Sequence, residues 1–169
     1  MDNNNDNQRH LCGGQYRYYY LHNIHSILTA RITEHMEANF IKKYIKKSVP
    51  DLIKVAERYC HKYIRERDQD KMCVSCGEYR PLSAGHFYSA GHYKSLRFND
   101  KNIHGQCSEC NTHLHANLIC YRRKITERIS QDDLERLDLI ADQYKLGGFK
   151  WDRMALIETI WKYKELLKK

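Results

Sequence analysis

A chain of 169 residues, 41% of them hydrophobic, is long enough for one packed core with extensions. Its 29 Lys and Arg against 21 Asp and Glu leave a formal charge of +8, which favours a polyanionic partner, most simply nucleic acid. No run is apolar enough to span a bilayer and the start lacks a secretory leader pattern, so a cytoplasmic, reducing setting without a membrane partner is expected.

Residues 1–28 are expected to form an N-terminal tail, polar and Asn-rich up to a Gly pair, then QYRYYYLHNIHSIL. That second piece fits a short amphipathic element; its alternating Tyr and Arg also fit base stacking. A helical, basic arm is expected over 29–70. Ile32, Met36, Phe40, Ile41 and Tyr44 recur on one face, and Lys42, Lys43, Lys46 and Lys47 follow. Ser48 and Asp51 form a capping signal with Pro50 in the first turn. Behind it, Leu52, Val55, Ala56, Tyr59, Tyr63 and Ile64 trace an amphipathic helix to about Arg67, with Cys60 beside its apolar stripe.

Residues 71–129 carry the chemistry. Cys73 and Cys76, then Cys107 and Cys110, are two C-x-x-C pairs that together complete the four-sulfur tetrahedral site favoured by structural zinc. Between them, Leu82–Tyr88 and Leu96–Phe98 are expected as short strands, with 89–92 as a loop and 99–102 as a turn. From Cys107 a second knuckle is expected to run into a helix ending near Arg128. The expected fold class is α+β, a zinc-stabilised ββα unit flanked by helices. Residues 130–169 are expected to form a helical pair: a helix capped by Ser130 and Asp133 and stopped by Gly147-Gly148, then one from Trp151-Asp152 to the end.

One hydrolytic plan needs few residues. A histidine on a strand deprotonates water, a divalent cation neutralises the scissile phosphate, an asparagine steadies the loop, and helical residues four apart hold the cation. His86 lies on the first strand and Asn102 on the connecting loop. Asn111 with His115, and His113 with Asn117, are pairs four apart. Each also has a structural reading: His86 as a hydrogen-bonded residue beside the knuckle, Asn102 and Asn111 as caps. Arg80, Lys94, Arg97, Asn117, Arg122, Arg123 and Lys124 are candidate DNA contacts, or solvated polar residues.

The order Cys76, His86, Asn102, Cys107-x-x-Cys110-Asn111 resembles the zinc-containing HNH, or ββα-metal, nucleases in their HNN form. A closer resemblance, from about Val49 onward, is to the NinG (Rap) family of phage lambda. It rests on Ile64-Arg-Glu-Arg-Asp68, Cys73-x-Ser-Cys76-Gly77, Ala84-Gly85-His86, Leu96-Arg97-Phe98, Asn102-Ile-His104-x-Gln-Cys107, Cys110-Asn111-x-His113 and Asn117-Leu118-x-x-Tyr121-Arg122. The resemblance implies a structure-selective endonuclease on branched recombination intermediates, Holliday junctions and D-loops. It puts His86 in the general-base position, with Asn102, Asn111 and His113 beside it and magnesium or manganese as cofactor. The HNH pattern usually has Asp or His before the base; here it is Gly85, so the cation takes another ligand, with His113, His115 and His104 as candidates, or binds weakly, or is absent. The alternative is a non-catalytic zinc-stabilised DNA-binding or adaptor protein. A homodimer is expected if two strands of a junction are cut, with the apolar faces of 130–146 and 151–169 either supplying the contact or equally covering the core.

Overall fold

The longest element is set by its N-cap and one stripe of side chains. The Ser48 hydroxyl accepts the Asp51 amide at 3.2 Å, and Leu52, Ala56, Cys60, Ile64 and Asp68, each one turn apart, are all buried. This is α2, Val49–Asp68, preceded by the short α1, Ala38–Tyr44. The structure, a computed structural model, describes residues 36–145 and 149–169. The expected 1–28 tail, the start of the basic arm and the Gly147-Gly148 stop lie outside the described residues. Residues 38–169 cluster as one unit.

Two strands, β1 (Leu82–His86) and β2 (Ile103–Cys107), pair antiparallel, with Leu82 opposite Cys107 and His86 opposite Ile103. The second strand is not the expected Leu96–Phe98. That segment holds a 3-10 turn, Lys94–Leu96, and Leu96 and Phe98 are buried from a loop. All five residues of β2 are buried, so no alternation betrays it in the sequence. One face of the pair meets α2. There a Cβ on Gly105 would sit 2.6 Å from Leu82 Cδ1 and 3.0 Å from Asp68 Cβ, so only glycine lets the helix end approach.

The helix expected after Cys107 is also broken up. Glu109–His113 forms one wide π turn, and His115, Ala116 and Asn117 have φ of 47°, 70° and 44°. Only then does α3, Leu118–Lys124, begin, followed by a 3-10 turn, Ile125–Glu127. The i,i+4 pairs Asn111/His115 and His113/Asn117 therefore do not share a helix face.

The last two helices, α4 (Gln131–Lys145) and α5 (Arg153–Leu166), begin as the caps predict. Ser130 accepts the Asp133 amide at 3.1 Å, and Asp152 accepts those of Met154 and Ala155 at 2.7 and 3.2 Å. They go to different places rather than forming a pair. From α4, Leu134, Leu137 and Ala141 join Val74, Phe87, Leu96, Tyr121, Ile125 and Ile129 in one core. The other helix, α5, packs along α2 and buries Leu156, Ile157, Ile160 and Tyr163. These apolar faces are spent inside the chain and are not free to form the dimer contact expected of them.

A four-thiolate cluster and a histidine pocket

Two knuckles bring four sulfurs together. Those of Cys73, Cys76, Cys107 and Cys110 all lie within 4.8 Å of one another, Cys76 and Cys107 at 3.9 Å. A metal–sulfur bond of about 2.3 Å in a tetrahedron demands sulfurs roughly 3.8 Å apart, so the cluster can hold one metal ion such as zinc. The surroundings favour a thiolate at Cys73, while burial pushes the Cys76 thiol up and the Cys110 thiol up to about 12, so those two need the cation to ionise. The Cys107 amide donates to Cys73 Sγ and the Asn117 side-chain amide to Cys110 Sγ, each at 3.4 Å. Burial raises the Cys73 pKa, but backbone N–H groups of Cys107, Cys76 and Ser75 prevail and bring it to about 7. Four thiolates would leave a bound ion no open coordination position, which suits a staple.

The strand pair hangs from the staple and from the end of α2. Asp68, 1% exposed, accepts the Gly105 amide at 2.8 Å and is flanked by Arg67 and Lys71. Arg67 also donates to the carbonyls of Asp100 and Ile103. Burial opposes the Asp68 charge, yet these donors hold its carboxyl well below the usual range. The Ile64–Asp68 motif is thus the clamp between helix and sheet.

His86 ends β1 half-buried, its Nε2 2.9 Å from the Arg97 carbonyl. A carbonyl only accepts, so Nε2 carries the proton and Nδ1 keeps a lone pair. Burial lowers the His86 pKa, which keeps the ring neutral. Asn102 is fully buried. Its amide donates to the carbonyls of Tyr88 and Leu96 at 2.9 and 3.0 Å and accepts the Tyr88 amide at 2.8 Å, fixing the loop that presents Arg97.

Gly85 has no room for a ligand. A Cβ there would fall 2.2 Å from Gln106 Oε1 and 2.8 Å from Gln106 Cβ, and Gln106 is fully buried. Asn111 binds the Ser83 hydroxyl at 3.0 Å. Because side chains alternate along a strand, Ser83 and His86 leave opposite faces of β1. Asn111 therefore stands on the face away from His86, and His113 and His115 are exposed beyond it. Asn111, bound to Ser83, does not face His86. His104, a candidate for the missing ligand, is instead buried and donates from Nδ1 to the Tyr121 hydroxyl at 3.0 Å, which donates in turn to the Gly85 carbonyl.

The candidate DNA contacts divide in the same way. Arg97 is bound to Glu57 at 2.8 Å and to the Ala90 carbonyl, Arg122 grips Asp138 at 2.6 and 2.7 Å, and Asn117 serves Cys110; all three have structural duties. Arg80 pairs with Glu78 but is exposed, Lys94 and Arg123 are exposed, and Lys124 lies over Gly77 of the first knuckle. An open groove of about 460 Å³ runs between α2 and the approach to β1, lined by Lys62, Arg65, Glu66, Gln69, Arg80, Pro81 and Leu82.

Sequence reasoning passed over His61 on α2. Its Nε2 is buried without a hydrogen-bond partner, and its ring meets that of His86 edge-on with centroids 5.7 Å apart. Burial, then His86, Arg65 and Arg97, brings its pKa down to about 4. The available signal was Glu57-x-x-x-His61, two donor residues on one face of a confidently periodic helix.

The chain matches, over residues 24–169, the profile of the family described as "Bacteriophage Lambda NinG protein". Among curated relatives, the protein ninG of Escherichia phage lambda is 38% identical over 100 residues, 58% of this chain and 49% of that protein. That of Escherichia phage 933W is 37% identical over 100 residues, covering 58% and 50%. That of Salmonella phage P22 is 34% identical over 130 residues, covering 76% and 62%. The chain thus spans about half the length of most curated relatives it matches. No solved structure matches it.

Proposed function

For a chain that belongs to the bacteriophage lambda NinG family, we propose an endonuclease that cuts branched DNA in recombination, inside the host cell. The observation that carries this reading is His86. Its ring is neutral, its proton is pinned on Nε2 by the Arg97 carbonyl, and its Nδ1 lone pair is left as a base. In the proposed step, Nδ1 takes a proton from water as the water oxygen attacks phosphorus. The P–O bond opposite breaks, and the leaving oxygen departs with the electron pair and is protonated by solvent. Asn102 holds the loop that orients His86 and touches no substrate. The groove between α2 and β1, with Lys62, Arg65 and Arg80, is where the phosphate backbone would lie.

Zinc is the metal proposed for the four cysteines, where it would hold the two knuckles together. Chemistry of this kind ordinarily uses magnesium or manganese, and Asn111, the ligand expected opposite the ring, faces away from His86 on Ser83. That observation favours a second reading, a zinc-stapled module that binds DNA without cutting it. The two separate on one experiment. Zinc-loaded protein is incubated with labelled four-way, D-loop and linear duplex DNA, with and without manganese. The nuclease reading expects metal-dependent nicking of the branched forms. His86→Ala should keep zinc and junction binding but lose about 10²–10⁴-fold in cleavage. Junction binding without nicking in any metal leaves the binding module. Paired cuts across a junction would need two copies, which light scattering of the protein on junction DNA would detect.

A further inference from the structure

The segment after the second knuckle exposes what a folded chain usually covers. Six large hydrophobic side chains are exposed among the described residues, and three of them, Leu114, Leu118 and Ile119, fall within six positions at 51%, 49% and 71% exposure. Single exposed hydrophobics need no explanation, but a cluster of them marks a surface that meets something. The backbone holds this cluster out. The Asn117 amide closes a turn on the Leu114 carbonyl at 2.8 Å, and His115, Ala116 and Asn117 are all left-handed without a glycine among them. Gln106, fully buried, donates to the Ala116 carbonyl, and Asn117 donates to Cys110 Sγ at 3.4 Å. The turn is thus pinned from the core and from the four-cysteine centre, so Leu114 and the start of α3 stand on a stiff support.

The charge around the cluster points to its partner. From Cys110 to Thr126 there is no Asp or Glu, while Arg122, Arg123 and Lys124 close α3. Ile119 precedes Arg122 and Arg123 by three and four residues and so shares their helix face. Both arginines are exposed; Asp138 holds Arg122, and Arg123 is turned to solvent. A second copy seated here by two-fold symmetry would bring these cations against their own images, which costs affinity. DNA fits better: Leu and Ile side chains enter between base steps while cations take the flanking phosphates. Unstacking a paired duplex is costly, whereas bases already unpaired or unstacked part at less cost. We infer that Leu114, Leu118 and Ile119 form an apolar wedge that enters the branch point of branched DNA, with Arg123 on a flanking phosphate. The inference deepens the proposed function and rests on it for the choice of branched DNA, though not for cleavage. Asn111, at the head of the same segment, binds Ser83 on the face of β1 away from His86, so the wedge acts by positioning the DNA and not on the reacting atoms.

The test uses full-length, zinc-loaded protein and four-way junctions carrying one 2-aminopurine, either at the branch point or in mid-arm, beside linear duplex of the same sequence. Unstacking brightens this base. Wild-type protein should brighten the branch-point probe and leave the mid-arm and duplex probes unchanged, a readout that needs no variant. Leu114→Ser combined with Ile119→Ser should abolish the brightening and cut the preference for junction over duplex about 10-fold. Both side chains are exposed, so zinc content, circular dichroism and duplex affinity should stay as they were. Arg123→Ala should weaken junction and duplex binding alike and lower the salt slope by about 1. Brightening and preference kept in the folded double variant, or a branch-point probe that stays dark with wild-type protein, overturns the wedge. So does light scattering that shows a DNA-free wild-type dimer and a monomeric double variant, because the cluster is then a subunit interface. Wedge-dependent junction binding with no cleavage in any metal upholds the wedge and removes the nuclease reading. Metal-dependent junction cleavage, equal in wild type and double variant, does the reverse.

Discussion

Gly85→Ala tests why the strand carries no side chain before His86. The new methyl would lie 2.2 Å from Gln106 Oε1, 2.8 Å from its Cβ and 3.0 Å from its Cδ. The crowding reaches the root of the glutamine, so rotation of its tip is no remedy. Gln106 is further held by donating to Ser75 Oγ at 2.7 Å and to the Ala116 carbonyl. Overpacking a filled core costs about 1–3 kcal/mol. Displacing two buried hydrogen bonds adds about 0.5–1.5 kcal/mol each. Gly85→Ala should therefore cost about 2–6 kcal/mol, measured by urea unfolding of zinc-loaded protein. In a Gln106→Gly background all three of those atoms are gone, and the same change should cost under about 1 kcal/mol, a coupling of about 1 kcal/mol or more. Gly85→Asp should be worse than Gly85→Ala and should gain no manganese affinity. A loss below about 0.5 kcal/mol, equal in both backgrounds, would refute the steric account.

Three further outcomes follow from the geometry. Cys110→Ala should release the metal and abolish the near-UV signal of the aromatic core around Tyr121, because metal binding is folding free energy in so small a centre; metal analysis with circular dichroism checks it. Asn102→Ala strands the Tyr88 amide and two carbonyls in a buried loop and should cost about 3 kcal/mol or more by urea unfolding. Burial, then Arg67, depresses the His104 pKa to about 3, against about 6.5 unfolded. The unfolded chain binds the extra proton between these values, so stability is full above the unfolded pKa and falls as pH drops through this window. From about pH 7 to about pH 5.5 the loss assigned to this ring is about 1.3 kcal/mol, and His104→Asn, whose amide can replace Nδ1, should be spared it.

What the sequence made legible was local. Ser48, Ser130 and Asp152 cap helices through neighbours within three residues, and the C-x-x-C pairs announce a metal centre through spacing alone. What stayed hidden depends on partners far along the chain. The strand Ile103–Cys107 is covered on both faces, by α2 on one and by the 111–121 segment on the other, so it lacks a period of two. The left-handed run at 115–117 contains no glycine to mark it; Asn117 tolerates that conformation, while Ala116 does so at a cost of about 1–2 kcal/mol. His86 was legible as a strand histidine. Its companion His61 was not, because only the packing of α2 on β1 makes them neighbours.

The seating of α5 on α2 bears on synthesis at the ribosome. The Cys60 thiol and the Phe98 carbonyl both find their partner in the Tyr163 hydroxyl, and Lys162 reaches back to Asp100. Some hundred residues must be translated between the start of α2 and the helix that covers it. During that interval the nascent chain can already close its metal knuckles, while the stripe from Leu52 to Ile64 waits uncovered. Ribosome-bound chains stopped before Arg153 should therefore be metal-competent and chaperone-bound at once, and extension through Leu166 should release the chaperone without changing the metal content.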